Sequence, residues 1–463
     1  MTDAKPSPAL LTAHGADPLS GRFVTPGDGV IALRALLLAA LAVGTSRITG
    51  GRATPEILAT AAALRQLGVQ VALEADAWQV QGLGVLGLLA PEGPLQAGPG
   101  RASLALLLGL LAPYDLSVHF APEARPADPE AGDAAAAPAE DLPPGLVAAL
   151  STIGAQIERA ADGGVVLRGA CLPRPPGLTL DPADEVSKTA LLLAGLQLAG
   201  DSEIYERAAS RDHGEKLLAA FGADITVTPD AGDDEGVTVR LKGLPELRPQ
   251  TISVPGDPSA AGFAIVAALI IKGSELVVEN VLINPLRTGL IDTLLEMGGD
   301  IQFLNQREIS GEYVADLRVR SSWLKGVLVS ARHARAMPDD LAALAIAASF
   351  AQGETIIAGL DTLPPAQASQ IEGLIAGLKA NKISVMREAD SLILAGDGKV
   401  AGGGKVDSLG DPALAMSFAV LGLASRHKVT IRGGEAIADS FPDFVANMTA
   451  AGGRFARTRA PKS

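Results

Sequence analysis

The sequence predicts an α/β (α+β) fold of two similar domains, each made of three repeated units of buried helices plus mixed β-sheet. Three observations carry this. Six short segments are apolar on every side, and six amphipathic segments alternate with them. The polar stretch KGLPELRPQ (242–250) divides both sets three and three. The predicted domains are therefore 25–250 and 251–463.

The apolar segments come in order as RALLLAALAVG, ASLALLLGLLAP, TALLLAGLQLAG, AGFAIVAALIIKG, LAALAIAASFAQG and ALAMSFAVLGLAS. A helix without a polar face has to be buried. All but the second are followed by a β-type run: SRITG, SEIYE, SELVVEN, ETIIAG and HKVTIRGG. The second set reads ILATAAALRQLGVQV, LVAALSTIGAQI, EKLLAAFGADI, LIDTLLEMGGDI, IEGLIAGLKANKISV and FVANMTAAGGRF. Each ends in Gly or a polar turn, which supplies a left-handed cap, and a β-branched or aromatic residue opens the next strand. Residues 123–145, rich in Pro, Ala and acids, break the pattern and read as a solvated, mobile loop. GDGKVAGGGK (396–405) lacks the spacing of a phosphate loop and reads as a glycine-rich hairpin.

Bulk properties narrow the function. Hydrophobic residues make up 48% of 463 residues and aromatics only 3%, so aliphatic side chains build the cores. The formal net charge of -14 disfavours nucleic acid or an anionic membrane as a partner. A small anionic ligand needs only a local basic cluster. Apolar runs near ten residues fall short of the ~20 that span a bilayer. Cys171 is the single cysteine, which fits a reducing compartment and excludes an intrachain disulfide. No apolar signal core opens the chain. The expectation is a cytoplasmic monomer with no cofactor and no metal.

The first turn, PGDG (26–29), leads into an apolar helix, a place where backbone N–H groups and the helix dipole favour an anion. Yet Gly29, Val30 and Ala32 stand where a phosphate site would want Lys, Ser or Thr.

With that opening, and with SRDHGEKLLAAFGA, VPGDPSAAGFAIVAALI, NPLRTGL, DLRVRSSWLKGV, AMSFAVLGLA and SFPDF, the chain resembles the 5-enolpyruvylshikimate-3-phosphate synthase (3-phosphoshikimate 1-carboxyvinyltransferase) family over about 19–453. The resemblance implies two enolpyruvyl transferase-like domains hinged by two crossovers, with residues 1–24 joining the C-terminal one. It implies helix N-termini around a central cleft, where an enolpyruvyl group passes from phosphoenolpyruvate to shikimate 3-phosphate. Such chemistry needs Arg and Lys clamps, an acid and a base.

Against the family patterns, most of these residues are replaced. In PGDKSISHR, the Lys position holds Gly29 and the next Ser Val30, while Arg34 stays. In GNSGTAxR, the Arg falls on Ala105, with Arg101 one turn earlier. GDxSLRxRPM has no counterpart. SAQVKS aligns with DEVSKT (184–189), placing Asp184 and Glu185 at or beside the substrate phosphate and keeping Lys188. RVKESDR is PPAQASQ (364–370), and DHRxAMSF is DPALAMSF (411–418). The basic residue often found before the last SFP is Asp439. Arg211 matches a position that touches the shikimate phosphate, and Asp339 and Asp340 match the catalytic Asp and its neighbouring acid. Asp257 and Arg287 persist with a mainly structural reading.

The candidate site is thus catalytic Asp339 and Asp340, with Arg34, Arg211, Arg101 and Lys188 for substrate. Asp339 and Asp340 also read as helix N-terminal acids, the favoured option with the Lys partner gone. His213 reads as a polar turn residue, with acid–base work as the sharper option. Cys171 does not sit where the related UDP-N-acetylglucosamine carboxyvinyltransferases place their nucleophile. Five empty cationic positions forfeit charge-assisted hydrogen bonds totalling roughly 7 kcal/mol, about five decades of binding. A missing acid or base costs a further ~10²–10⁴ in rate.

The expectation is therefore a family member that has lost catalysis and acts as a binding or regulatory protein, with a competent paralogue as partner. The alternatives are an active carboxyvinyltransferase using substitutes such as Arg101 and Lys188, and a transferase or binder for a less anionic ligand.

Overall fold

The computed structural model describes residues 9–98, 100–122, 142–143, 145–230, 235–363 and 365–459. Residue contacts divide the chain into two units. One is Gly27–Val254 with Ile309–Glu312; the other takes the chain up to Pro26, then Pro255–Glu308 and from Tyr313 onward. The divisions near the predicted boundaries fall after Pro26 and after Val254. Most of the 123–145 loop lies outside the described residues.

The Gly27–Val254 unit holds α1 (Gly29–Leu41), α2 (Pro55–Gln66), α3 (Arg101–Leu111), α4 (Leu146–Ile153), α5 (Glu185–Gly195) and α6 (His213–Ala220). The other holds α7 (Pro258–Ile270), α8 (Gly289–Glu296), α9 (Ala331–Ala336), α10 (Leu341–Ser349), α11 (Pro365–Ala380), α12 (Pro412–Ala424), α13 (Ile437–Ser440) and α14 (Phe444–Ala450). The six apolar segments are α1, α3, α5, α7, α10 and α12. In α1 everything from Ile31 to Leu41 is buried, and in α12 everything from Leu414 to Leu423.

The amphipathic segments are α2, α4, α6, α8, α11 and α14. Gly68 (φ 91°) and Gly222 (φ 94°) follow α2 and α6 in the left-handed conformation that no side chain opposes. After α11 the polar turn uses Lys382 (φ 62°) instead.

Among the described residues the strands form six sheets, three in each unit. Every four-stranded sheet has one edge strand in parallel pairing and an antiparallel pair beside it. The three-stranded sheet has the isolated parallel bridge Leu95↔Phe120 at the corresponding edge. Residues 396–405 do not form the expected hairpin. Strand Ser391–Asp397 pairs with Gln352–Ile357, whereas Lys405–Asp407 pairs in parallel with Val429–Arg432, so the glycines link two sheets. A glycine run marks a turn but does not say which strands it joins.

Packing is close where helices meet. A Cβ on Gly109 of α3 would lie 2.2 Å from the Ala190 carbonyl oxygen of α5. Gly109→Ala is therefore expected to destabilise the protein by about 1–3 kcal/mol in urea unfolding. A Cβ on Gly29 meets nothing within 4 Å. Gly29→Ala should leave stability unchanged or raise it by up to about 1 kcal/mol.

Candidate functional site

The apolar helices leave first-turn N–H groups that need acceptors, and carboxylates supply most of them. Asp28 caps α1, accepting from Val30 N (2.8 Å) and Ile31 N (3.1 Å). At α3 the Glu56 side chain of α2 accepts from Ser103 N at 3.0 Å. A side chain on Gly100 would collide with that carboxylate. Asp184 caps α5 through Ser187 N at 2.7 Å. Asp257 caps α7, and Asp411 caps α12.

In the Gly27–Val254 unit the predicted cations take different positions. Arg34 points inward from α1 and is 1% exposed. Its Nε donates to Thr189 Oγ1 (3.2 Å), its Nη1 to the Val30 carbonyl (3.1 Å), and its Nη2 lies 3.7 Å from Glu185 Oε2. Arg211, in the loop before α6, brings Nη1 to 3.7 Å from Glu185 Oε1. The structure thus joins Arg34 and Arg211 through one carboxylate, the acid that the sequence placed beside a substrate phosphate. Arg101, first residue of α3, is exposed.

Lys188 is fully buried and committed elsewhere. Its Nζ lies 2.7 Å from Glu215 Oε1 and 2.9 Å from Glu206 Oε2, and donates weakly to the Ser210 carbonyl. Burial alone would lower its pKa, but the two glutamates outweigh burial and hold it above the usual lysine range. Glu206 also accepts from Ser210 Oγ (2.6 Å), which ties down the segment carrying Arg211. Removing the only cation from this trio strands two buried carboxylates. Lys188→Met is expected to cost about 3–5 kcal/mol in chemical unfolding, with part recovered when Glu206 and Glu215 are also made Gln.

His213 is not a surface turn residue. It is fully buried, with Nδ1 2.6 Å from Glu312 Oε1. Asp212, His213 and Glu312 bring ligand-type atoms within 4.8 Å of one another. Lys216 Nζ lies 3.1 Å from both Asp212 and Glu312, so an ammonium group already supplies the cation there. Glu312 is 99 residues away in sequence, which hid the pair from a linear reading.

In the other unit, Asp340 occupies the N-cap position of α10 but makes no side-chain cap bond. It is buried beside Asp339. Burial, and then the Asp339 charge, push its carboxyl up to about 7, against the opposing pull of Arg287. Arg287 Nη2 donates to Asp257 Oδ1 (2.9 Å) and Ser259 Oγ (3.3 Å), consistent with its structural reading. A cavity of about 20 Å³ lies beside Asp339, lined also by Leu341, Gln370, Asp411, Ala413 and Leu414. Gln370 Nε2 donates to the Asp411 carboxylate. No Lys or Arg lines the cavity among the described residues. Pro364, the first position of the RVKESDR match, lies outside them.

The elevated Asp340 pKa has a definite sign. Between about 4, the unfolded value, and about 7, the folded state binds more protons than the unfolded one, so this group lowers stability as pH rises through that window. At one pKa unit per ~1.4 kcal/mol the loss reaches up to about 4 kcal/mol. Asp340→Asn should flatten the difference in melting temperature between pH 5 and pH 8.

Comparison with known proteins follows the same lines. The family model for EPSP synthase (3-phosphoshikimate 1-carboxyvinyltransferase) matches residues 13–128 and 144–448. The 3-phosphoshikimate 1-carboxyvinyltransferase of Methylorubrum extorquens is 42% identical over 457 residues, 98% of each chain. That of Parvibaculum lavamentivorans is 42% identical over 97% of each. Among solved structures, EPSP synthase from Acinetobacter baumannii superposes with a TM-score of 0.85 at 31% identity, covering 98% of this chain and all of that one. The enolpyruvyl transferase NikO from Streptomyces tendae, at 19% identity and a TM-score of 0.75, shares the fold. The chain belongs to the EPSP synthase family.

Proposed function

We propose that this family member has lost, or nearly lost, the carboxyvinyl transfer and serves as a binding or regulatory protein, with a competent paralogue as its partner. One observation carries the proposal. The cavity beside Asp339 presents Gln370, Asp411 and Ala413 where the family patterns carry Arg or an adjoining Asp–His–Arg set, and among the described residues no cation lines it. Two carboxylates there repel a phosphate or carboxylate ligand, and Gln370 is bonded to Asp411 rather than poised for an anion. The uncharged part of the lining is chemically compatible with the third option, a neutral or less anionic ligand, although about 20 Å³ holds little more than a water. A cytoplasmic monomer is the setting we assign.

Overall likeness weighs toward an active carboxyvinyltransferase for shikimate 3-phosphate and phosphoenolpyruvate. Relatives 42% identical over nearly the whole chain carry that name. Such an enzyme would need substitute cations. Against this, Arg101 is exposed at the head of α3, and Lys188 is spent on Glu206 and Glu215.

Phosphate release with both substrates at millimolar levels separates the two readings. We expect no release above background from the wild type or from Gly29→Lys. Position 29 has open space for the Lys, but one cation does not replace those missing at Ala105, Gln370 and Ala413. Release by the wild type would establish the active alternative. Release by Gly29→Lys alone would show that the rest of the site is intact. Calorimetric binding of shikimate 3-phosphate without turnover would identify a retained ligand.

A further inference from the structure

We infer that Glu185 is the specificity-determining residue of the Arg34–Arg211 pair: its carboxylate is a resident anion in the place that a phosphate or carboxylate ligand would need. The inference deepens the reading above and rests on it only in treating the pair as part of the binding site.

Three features carry it. The two guanidinium groups come from different elements, helix α1 and the loop before α6, yet both lie 3.7 Å from the same carboxylate, one at each oxygen. Arg34 Nη2 is buried and makes no hydrogen bond, although it faces Glu185. A charge-assisted N–H···O bond is about 2.7–2.9 Å long, so the carboxylate balances the charge without satisfying the donor. A tetrahedral oxyanion offers more oxygens and could approach both groups. Thirdly, Glu185 stands in the first turn of the 11-residue α5, whose N-terminal dipole favours negative charge.

The two acids nearest these helix starts are already engaged. Asp184 is occupied with Ser187 N, and Asp28 with the first turn of α1. Lys188 is held by its glutamates and adds nothing. Glu185 and Arg211 keep about 15% of their side chains exposed, which leaves a route from solvent. Ala at position 185 suits a helix start. The resident carboxylate therefore makes the wild-type site reject free oxyanions, and its removal should turn the site into one that takes them.

Inorganic phosphate is the probe, at constant ionic strength, read by calorimetry and by thermal melts. The wild type is expected to give no saturable heat and no phosphate-dependent shift. Glu185→Ala should melt lower than wild type without phosphate, recover with it, and bind phosphate at least about tenfold more tightly than the wild-type limit. Glu185→Gln, which keeps the volume and drops the charge, should move in the same direction. The double variant Glu185→Ala/Arg211→Ala should lose the effect.

Equal phosphate binding by wild type would overturn the inference. So would a shift that survives loss of Arg211, or cooperative melts of both single variants with no response to phosphate. Failure of both variants to fold even in phosphate would also overturn it, since Glu185 would then be a counter-ion that no ligand replaces. Turnover by the wild type would defeat the preceding reading alone, because these melts involve no catalysis.

Discussion

The rest of the structure depends on how short, wholly apolar helices start. A helix of 9 to 13 residues is marginal in water, and these six are stable because sheets and other helices cover them. Burial leaves first-turn N–H groups without water, and a carboxylate stands beside five of the six starts, α10 being the one without a side-chain cap. Asp28, Asp184, Asp257 and Asp411 do this from the preceding residue, and Glu56 does it from a neighbouring helix. An Ala in such a place costs about 1 kcal/mol. These acids are therefore retained by folding whether or not any chemistry takes place near them.

That requirement shapes the electrostatics once cations are replaced. In an enzyme that clamps two polyanions, surrounding Lys and Arg outweigh the capping acids. On the function proposed above the balance reverses, and several of the remaining cations are matched locally. Lys188 sits with Glu206 and Glu215, Arg287 with Asp257, and Arg34 and Arg211 share Glu185. A buried charge left alone costs far more than a surface one, so each of these four cations has a nearby carboxylate. Asp340 shows the converse for an acid: burial, and then the Asp339 charge, push its carboxyl up to about 7 against the pull of Arg287.

Much of this fold was legible in the chain because both periodicities are local. Apolar runs without a polar face located all six buried helices, and Gly or a polar turn after an amphipathic run located the six amphipathic ones. Partnerships across long separations were not legible. Glu56 reaches Ser103 across 47 residues, and His213 meets Glu312 across 99. No spacing rule announces either, and so the sequence reads His213 as a polar turn residue rather than a buried partner of Glu312. Lys188 shows the same limit at the site. Its position in DEVSKT was legible, but only folding brings Glu206 and Glu215 onto its ammonium group. Glu185 was legible as an acid of the wrong sign; that it would bridge two arginines needed the three-dimensional arrangement of α1, α5 and the loop before α6.

The positions that the sequence reading takes as replaced cations differ in how readily the scaffold would admit one. Nothing approaches a Cβ at Gly29, so packing does not demand glycine there and a long side chain can leave toward solvent. Ala105 is fully buried within α3, among side chains that leave no space for a guanidinium. An Arg there would have to desolvate its charge or displace close-packed neighbours. Gln370 lies between these cases, since its amide has formed a new bond to Asp411 that an arginine could also make. The scaffold's room for a cation is thus graded: open at position 29, taken up by the bond to Asp411 at 370, and buried at 105. A scaffold in this state keeps its stability because the aliphatic core and the capping acids carry the fold, and neither depends on the cations that chemistry would need.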